Sequence, residues 1–350
     1  MITREKEPAN LEMPFGQLDG FITPNEQFYV RSHFAVPSID LAAWRLRVEG
    51  AVERPVEFSY EDLLARAGQT VQGVMECAGN SRIFLQPKVK GVQWEMGAIG
   101  NADWTGVSLG EILRDARCSK EACEVILEGA DCGTISEPPR PAGKVNYARS
   151  LSLGKAQDDV LLALQMNGQP LPPAHGFPLR AIVPGWYGMA SVKWLQRIIV
   201  TEKPFPGYYQ TVDYAFWELG IGGAQLVPIT EMLVKAAIAK PEVNATIAAG
   251  TTYRVTGAAW TGNAEITKVE VSPDGGKTWT KASLGEETSE HSWRLWTWDW
   301  ETPTASGRYV LMARATDSRG RTQPMERDPN RGTYMINHCL PIEVEIIAKG

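Results

Sequence analysis

The stretch VMECAGNSR, Val74 to Arg82, carries a single cysteine out of an apolar run into a tight polar turn, and an arginine follows. Three roles are open to Cys77 on that ground: an inert buried thiol, a nucleophile or a metal ligand. Free cysteine is among the most buried residue types, so packing accounts for most lone cysteines. A nucleophile needs a placed base. The chain offers His33, His175, His291 and His338, and sequence pairs none of them with Cys77. The neighbours favour a charged sulfur. Gly79 and Asn80 sit where the backbone must turn sharply. Arg82 can return toward the thiolate, which a nearby guanidinium stabilises. A soft thiolate suits a soft or high-valent metal.

Other cofactor signatures are missing. The five cysteines, at 77, 118, 123, 132 and 339, form no CxxC, CxxCH or Cys/His zinc spacing. Their odd number rules out a fully intramolecular disulfide set. There is no GxGxxG and no GxxxxGK, so a redox enzyme here uses neither a dinucleotide fingerprint nor a phosphate loop. With a net charge of -6 over 350 residues, nothing marks a general nucleic-acid binder. No apolar run reaches the length of a spanning helix. MITREKEPANLEMPF does not read as a secretory signal. The expectation is a cytoplasmic chain, or a periplasmic one where a targeting segment has been removed. The terminal IAKG is no peroxisomal address.

The elements that must hold these residues fall into two textures. The first forty residues are irregular and proline-rich. WRLRVEG, VEFSY and ACEVILEGAD read as strands, and VLLALQMNG as a buried element. SYEDLLARA and SLGEILRDA read as short helices capped by Ser59 and Ser108. The segment 133–150, rich in Gly, Pro and Arg, reads as a surface loop. After about residue 240, alternating runs recur between turns. SPDGGKTW is a hairpin signal, and in RLWTWDW the tryptophans 296, 298 and 300 share a face. This pattern predicts an α+β domain over 1–235 and an all-β immunoglobulin-like sandwich over 236–350. Most of the 12 tryptophans are expected in cores.

ECAGNSR resembles the cysteine loop of the sulfite oxidase family, molybdenum enzymes that carry one pyranopterin dithiolene. Four more stretches keep that family's order: FYVRSHFAVP (28–37), GVQW (91–94) followed by ADWTGV, HGFPLRAIVPGWYGMASVKWL (175–195) and NRGTYMINH (330–338). The resemblance covers nearly the whole chain. It implies an α+β molybdenum-cofactor domain followed by a sandwich that serves dimerisation. Cys77 would be the only protein ligand to molybdenum, and the molybdopterin would carry the redox chemistry. His175, Arg180 and Lys193 match positions that hold the pterin and its phosphate, with backbone amides near Gly185 and Gly188 in support. His33 would contact the pterin. Trp94 and Trp104 match tryptophans that line the pocket or the cofactor.

The same resemblance implies an anion pocket of Arg31, Arg82 and Arg331, and an active-site tyrosine at Tyr214, with Tyr208 and Tyr209 as neighbours in sequence. Nitrate-reducing relatives tend to carry methionine at the position of Arg331 and asparagine at that of Tyr214. This chain has the sulfite-oxidising pair, so the implied reaction is sulfite to sulfate, with a nitrate or sulfoxide reductase as the alternative. Two departures bear on tuning. Ser81 stands where animal sulfite oxidases have a second arginine, and DPNRGTY lacks the usual tryptophan before Asn330. No haem-binding segment is expected within the chain, so electrons would pass to an external acceptor such as a c-type cytochrome. A bacterial, haem-free sulfite dehydrogenase acting as a homodimer is the expectation.

Overall fold

The computed structural model describes residues 1–220, 222–286 and 289–348, so the last two residues of IAKG lie outside the described range. The N-terminal α+β unit is built on two five-stranded sheets. In one, Gln69–Glu76 pairs antiparallel with Ile99–Ser108, which pairs in turn with Leu161–Met166. Arg180–Ile182 and Gln169–Pro170 complete this sheet on Leu161–Met166. Nearly every residue of Leu161–Met166 is buried, as its unbroken apolar run requires of a strand covered on both faces. The other sheet runs in the order Val56–Phe58, Leu46–Gly50, Leu195–Thr201, Glu124–Thr134 and Lys144–Ser152.

Short helices close the unit. Tyr60–Arg66 starts from a complete capping box, Ser59 with Asp62. Leu109–Ala116 buries Leu109, Ile112, Leu113 and Ala116, one stripe at helical spacing. Ser108 precedes that helix but makes no side-chain cap bond, contrary to expectation. The expected loop at 133–150 is also only partly a loop. Lys144–Ser152 is a strand paired with Glu124–Thr134, because KVNYARSLS alternates and turns Tyr147, Arg149 and Leu151 inward.

The C-terminal unit is all β. A four-stranded sheet has the order Lys235–Lys240, Thr252–Trp260, Arg294–Glu301, Ser283–Leu284. A five-stranded sheet has the order Thr246–Ala248, Ile342–Ile347, Gly307–Asp317, Ile266–Ser272, Thr280–Lys281. Inward residues of both sheets, among them Val255, Trp296, Trp300, Val269 and Leu311, share one apolar core. The turn after Ile266–Ser272 forms as read, with Gly275 and Gly276 both at positive φ. Lys235 already pairs with Trp260, so the second unit begins at or before residue 235. Trp260 and Trp293 reach out of this unit into the first unit's core, which joins the two. Among the described residues no helix is long and apolar enough to cross a membrane.

Candidate active site

Cys77 stands at the end of Gln69–Glu76, where the chain folds back on itself. Its N–H donates to Ala98 O at 2.9 Å, and its carbonyl accepts from Asn80 N at 2.8 Å, which closes the turn. The left-handed residue of that turn is Ser81, at φ 74°, rather than Gly79. Gly79 is needed for another reason. A Cβ there, or on Gly91, would run into the Arg82 guanidinium.

The thiol opens onto a cavity of about 610 Å³, its open mouth included. Seven of the residues read from sequence line it: Cys77 and Tyr214, Arg31 and His33, and His175, Arg180 and Lys193. Gly188 lines it too. Gly185 instead packs against Asn263. These groups come from six segments, counting the Cys77 turn. Arg31 and His33 lie on an irregular N-terminal stretch. His175 closes the turn Pro173–His175, Arg180 opens a three-residue strand, and Lys193 follows the turn Gly188–Ala190. Tyr214 follows a π-helical turn, Tyr209–Asp213, a bulged geometry that recurs at functional sites.

The cavity has an excess of positive charge. Arg180 is buried and stacks on Trp104 at 4.8 Å. It donates to His175 O at 3.0 Å and Ser191 O at 3.2 Å, while its Nε has no partner among the described residues. Burial pulls Arg180 down to about 10. Lys193 donates to Ser32 Oγ and Ala174 O, each at 2.9 Å, and burial followed by the Arg180 charge holds it well below the ordinary lysine range. His175 is driven to about 3 by burial and by the same two cations. The facing carboxylate is Asp131, itself raised by burial to about 6, with Oδ1 unpartnered among the described residues. Two guanidiniums and an ammonium in low dielectric against one carboxylate suit an anion with several acceptor oxygens. A phosphate-bearing cofactor therefore fits the residues present.

At the sulfur end, burial raises the Cys77 thiol, while Arg31 and then Arg82 pull it down. Among the described residues no cluster of three or more His, Cys, Asp or Glu gathers as a metal site, and Cys77 is the thiol that lines this cavity. Tyr214 is buried, and its hydroxyl lies 3.0 Å from His33 Nε2. Burial, and then Arg31, lower His33 to about 4, so its ring is neutral near pH 7 and can accept at one nitrogen. Asp213 Oδ2 stands 3.7 Å behind that nitrogen, and Asp213 Oδ1 accepts from Tyr334 OH at 2.8 Å. Of the neighbouring tyrosines, Tyr209 packs its ring on His33 and Tyr147 without lining the cavity.

Four expected site residues lie elsewhere. Arg82 is buried behind the Cys77 turn, donating to Val92 O at 2.7 Å and Thr333 O at 3.1 Å, with Tyr334 5.1 Å from its guanidinium. Arg331 is held by Asp328 at 3.0 Å and faces a separate cleft beside Met232 and Leu233. Arg31 and Arg82 therefore flank Cys77 and Tyr214, one lining the cavity and one backing it, while Arg331 is paired outside. Trp94 and Trp104 are fully buried in the apolar cluster that contains Cys77, behind the wall, where Trp104 supports Arg180. Sequence reading missed Tyr29, Ser32, Asp131 and Tyr147 in the lining, and Asp213 behind it. Tyr29 and Ser32 lie inside the FYVRSHFAVP stretch and Asp213 stands beside Tyr214, so adjacency was the signal for these three, while Asp131 and Tyr147 carried none.

A model of the oxidoreductase molybdopterin binding domain matches residues 33–209, and a model of the Mo-co oxidoreductase dimerisation domain matches 227–345. Mitochondrial sulfite oxidase of Mus musculus is 36% identical over 339 residues, covering 91% of this chain and 60% of the relative. The NADPH nitrate reductase of Emericella nidulans is 34% identical, over 86% of this chain and 36% of the relative. The crystal structure of the sulfane dehydrogenase SoxCD from Paracoccus pantotrophus matches with a TM-score of 0.83 and 29% identity, over 97% of this chain and 85% of that one. This chain spans about 60% of the length of the mammalian relatives it matches.

Proposed function

The chain belongs to the sulfite oxidase family of molybdopterin-dependent oxidoreductases, and from that premise we propose that it oxidises sulfite to sulfate at a mononuclear molybdenum centre. The observation that carries this reading is the meeting of Cys77, Arg31 and Tyr214 on one cavity with an excess of positive charge. The molybdenum cofactor, when bound, supplies two-electron redox chemistry at an oxygen-transfer centre. Cys77 would hold the metal as thiolate, a charged form that Arg31 and then Arg82 favour against burial. Arg180, Lys193 and His175 would hold the cofactor's phosphate. Arg31 draws the sulfite anion in and orients it. The Tyr214 hydroxyl donates a hydrogen bond to substrate oxygen, and the neutral His33 ring 3.0 Å away holds it in place.

Electrons leave to an external acceptor such as a c-type cytochrome. We read the C-terminal unit as an immunoglobulin-like sandwich, since its two sheets share one core, and assign it the contact of a homodimer. A bacterial enzyme is the form we propose. The test is metal analysis of the purified chain together with a sulfite-dependent ferricyanide assay. About one molybdenum per chain with sulfite turnover supports the reading, and a fully metallated protein inert to sulfite overturns it. The similarity to nitrate reductases favours a second reading, reduction of an oxyanion or sulfoxide by the same cofactor. Turnover of nitrate or a sulfoxide with reduced dye, without sulfite oxidation, selects it.

A further inference from the structure

The carboxylate that precedes Cys77 is gripped from the other unit. Glu76 ends the strand Gln69–Glu76 and is 2% exposed. Its Oε1 accepts from Lys235 Nζ at 2.8 Å and from Asn80 Nδ2 at 3.0 Å, and its Oε2 accepts from Trp260 Nε1 at 2.9 Å. Lys235 is equally buried and lies opposite Trp260 in the C-terminal sheet. Its ammonium also donates to Ser81 Oγ at 3.0 Å. Asn80 carries the constraint onward. Its Oδ1 accepts from Ala98 N at 3.1 Å, and Ala98 O accepts the Cys77 N–H at 2.9 Å. The C-terminal wall is tied in as well, since Met335 N donates to Ala78 O at 2.7 Å. Lys235 and Trp260 do not line the cavity themselves.

Packing alone does not account for this cluster. A buried ion pair is often no more stabilising than apolar residues of the same volume. What charged hydrogen bonds add is direction, because they weaken steeply with displacement. Here they fix both oxygens of the residue before the thiol and, through Asn80 and Ser81, the turn after it.

We propose that Lys235 and Trp260 are positioning residues for Cys77, through which the C-terminal unit sets where the thiol stands at the cavity wall. The proposal rests on the reading of Cys77 as the metal ligand. It makes the ligand loop and the C-terminal sheet one mechanical element, so that loosening the sheet displaces the sulfur.

The experiment uses two variants of the full chain. Trp260→Phe removes one donor and keeps most of the ring, and Lys235→Met removes the charge and keeps the stem. In chain produced without cofactor, Cys77 alkylation by iodoacetamide is followed by peptide mass spectrometry, with the exposed Cys123 and Cys132 as internal references. Alkylation of Cys77 rises on the order of tenfold, as expected from loss of a charge-assisted bond that held the loop closed, while the reference cysteines do not change. In loaded protein the thiolate-to-metal absorption band shifts, and kcat falls with KM for sulfite within about twofold of the parent. Lys235→Arg recovers part of both signals. Should Lys235→Met fail to fold, Trp260→Phe decides alone. A folded Trp260→Phe with unchanged Cys77 alkylation and an unshifted band overturns the proposal, even if its Tm drops, because the cluster is then only structural. Failure of the ligand reading is seen separately, in a Cys77→Ser protein that keeps its metal.

Discussion

Replacing Arg180 by methionine separates the penalty of building an anion cavity from the gain on filling it. Burial lowers Arg180 from 12.5 to about 10. At about 1.4 kcal/mol per unit, holding that charge inside the folded chain costs about 3 kcal/mol. The folded value lies below the unfolded one, so the penalty is present at every pH below about 10 and fades as pH rises through that range. Arg180 is 3% exposed, so solvent screens little of it. Methionine forfeits the charge-assisted bonds to His175 O and Ser191 O, at about 1.5–3 kcal/mol each. The cofactor-free variant should therefore match the parent's stability or fall below it by at most about 2.5 kcal/mol. Loading should suffer heavily. Two charge-assisted bonds to a phosphate are worth about 1.5–3 kcal/mol each, a loss of about 10²–10⁴ in cofactor affinity. Denaturant unfolding of cofactor-free and loaded protein, with metal content measured on the same samples, reads both arms. A cofactor-free variant destabilised by about 3 kcal/mol or more, as when one partner of a buried pair is removed, would refute the reasoning. So would a variant that loads fully.

Three further outcomes are expected. Tyr214→Phe removes the hydroxyl 3.0 Å from His33 Nε2. It should lower kcat by about 10–10² and change stability by no more than about 1 kcal/mol; an unchanged kcat in steady-state assays would remove the Tyr214 hydroxyl from the reaction. Asp328→Asn frees Arg331 from its exposed ion pair. Because Arg331 faces a separate cleft, KM for sulfite should stay within about twofold of the parent, and a KM lowered about fivefold or more would show that the pair withholds Arg331 from the substrate. His175 is held near 3 by burial, below its unfolded 6.5, so the unfolded chain binds the proton first and the folded cofactor-free chain loses stability as pH falls from 6.5. By pH 4 the His175→Gln protein should have gained about 3 kcal/mol relative to the parent. Asp131, raised to about 6, works in the opposite direction in both proteins, so only the difference between two unfolding titrations isolates His175.

Much of the fold was legible because its signals are local. The capping box at Ser59, the apolar stripe of Leu109–Ala116 and the hairpin after Ser272 each depend on residues a few positions apart. Local reading failed where a distant partner decides. Ser108 looks like a cap but makes no cap bond. Arg149 made 133–150 look like surface, yet it is buried, because the carbonyls of Tyr209 and Ile229 receive its guanidinium.

The sequence by itself determined the chemistry on offer: a thiol in a tight turn, a run of cofactor-binding motifs in a set order, and a phenol at the position of the family's active-site tyrosine. Only the tertiary structure decided which charges meet. Arg31, Arg180 and Lys193 line the cavity while Arg82 and Arg331 do not, and Ser81 accepts a bond from Lys235, whose charge is paired with Glu76. The reason is physical. A cation's role is set by the carbonyls, carboxylates and rings that receive it, and for these residues the partners lie on segments far away in the chain.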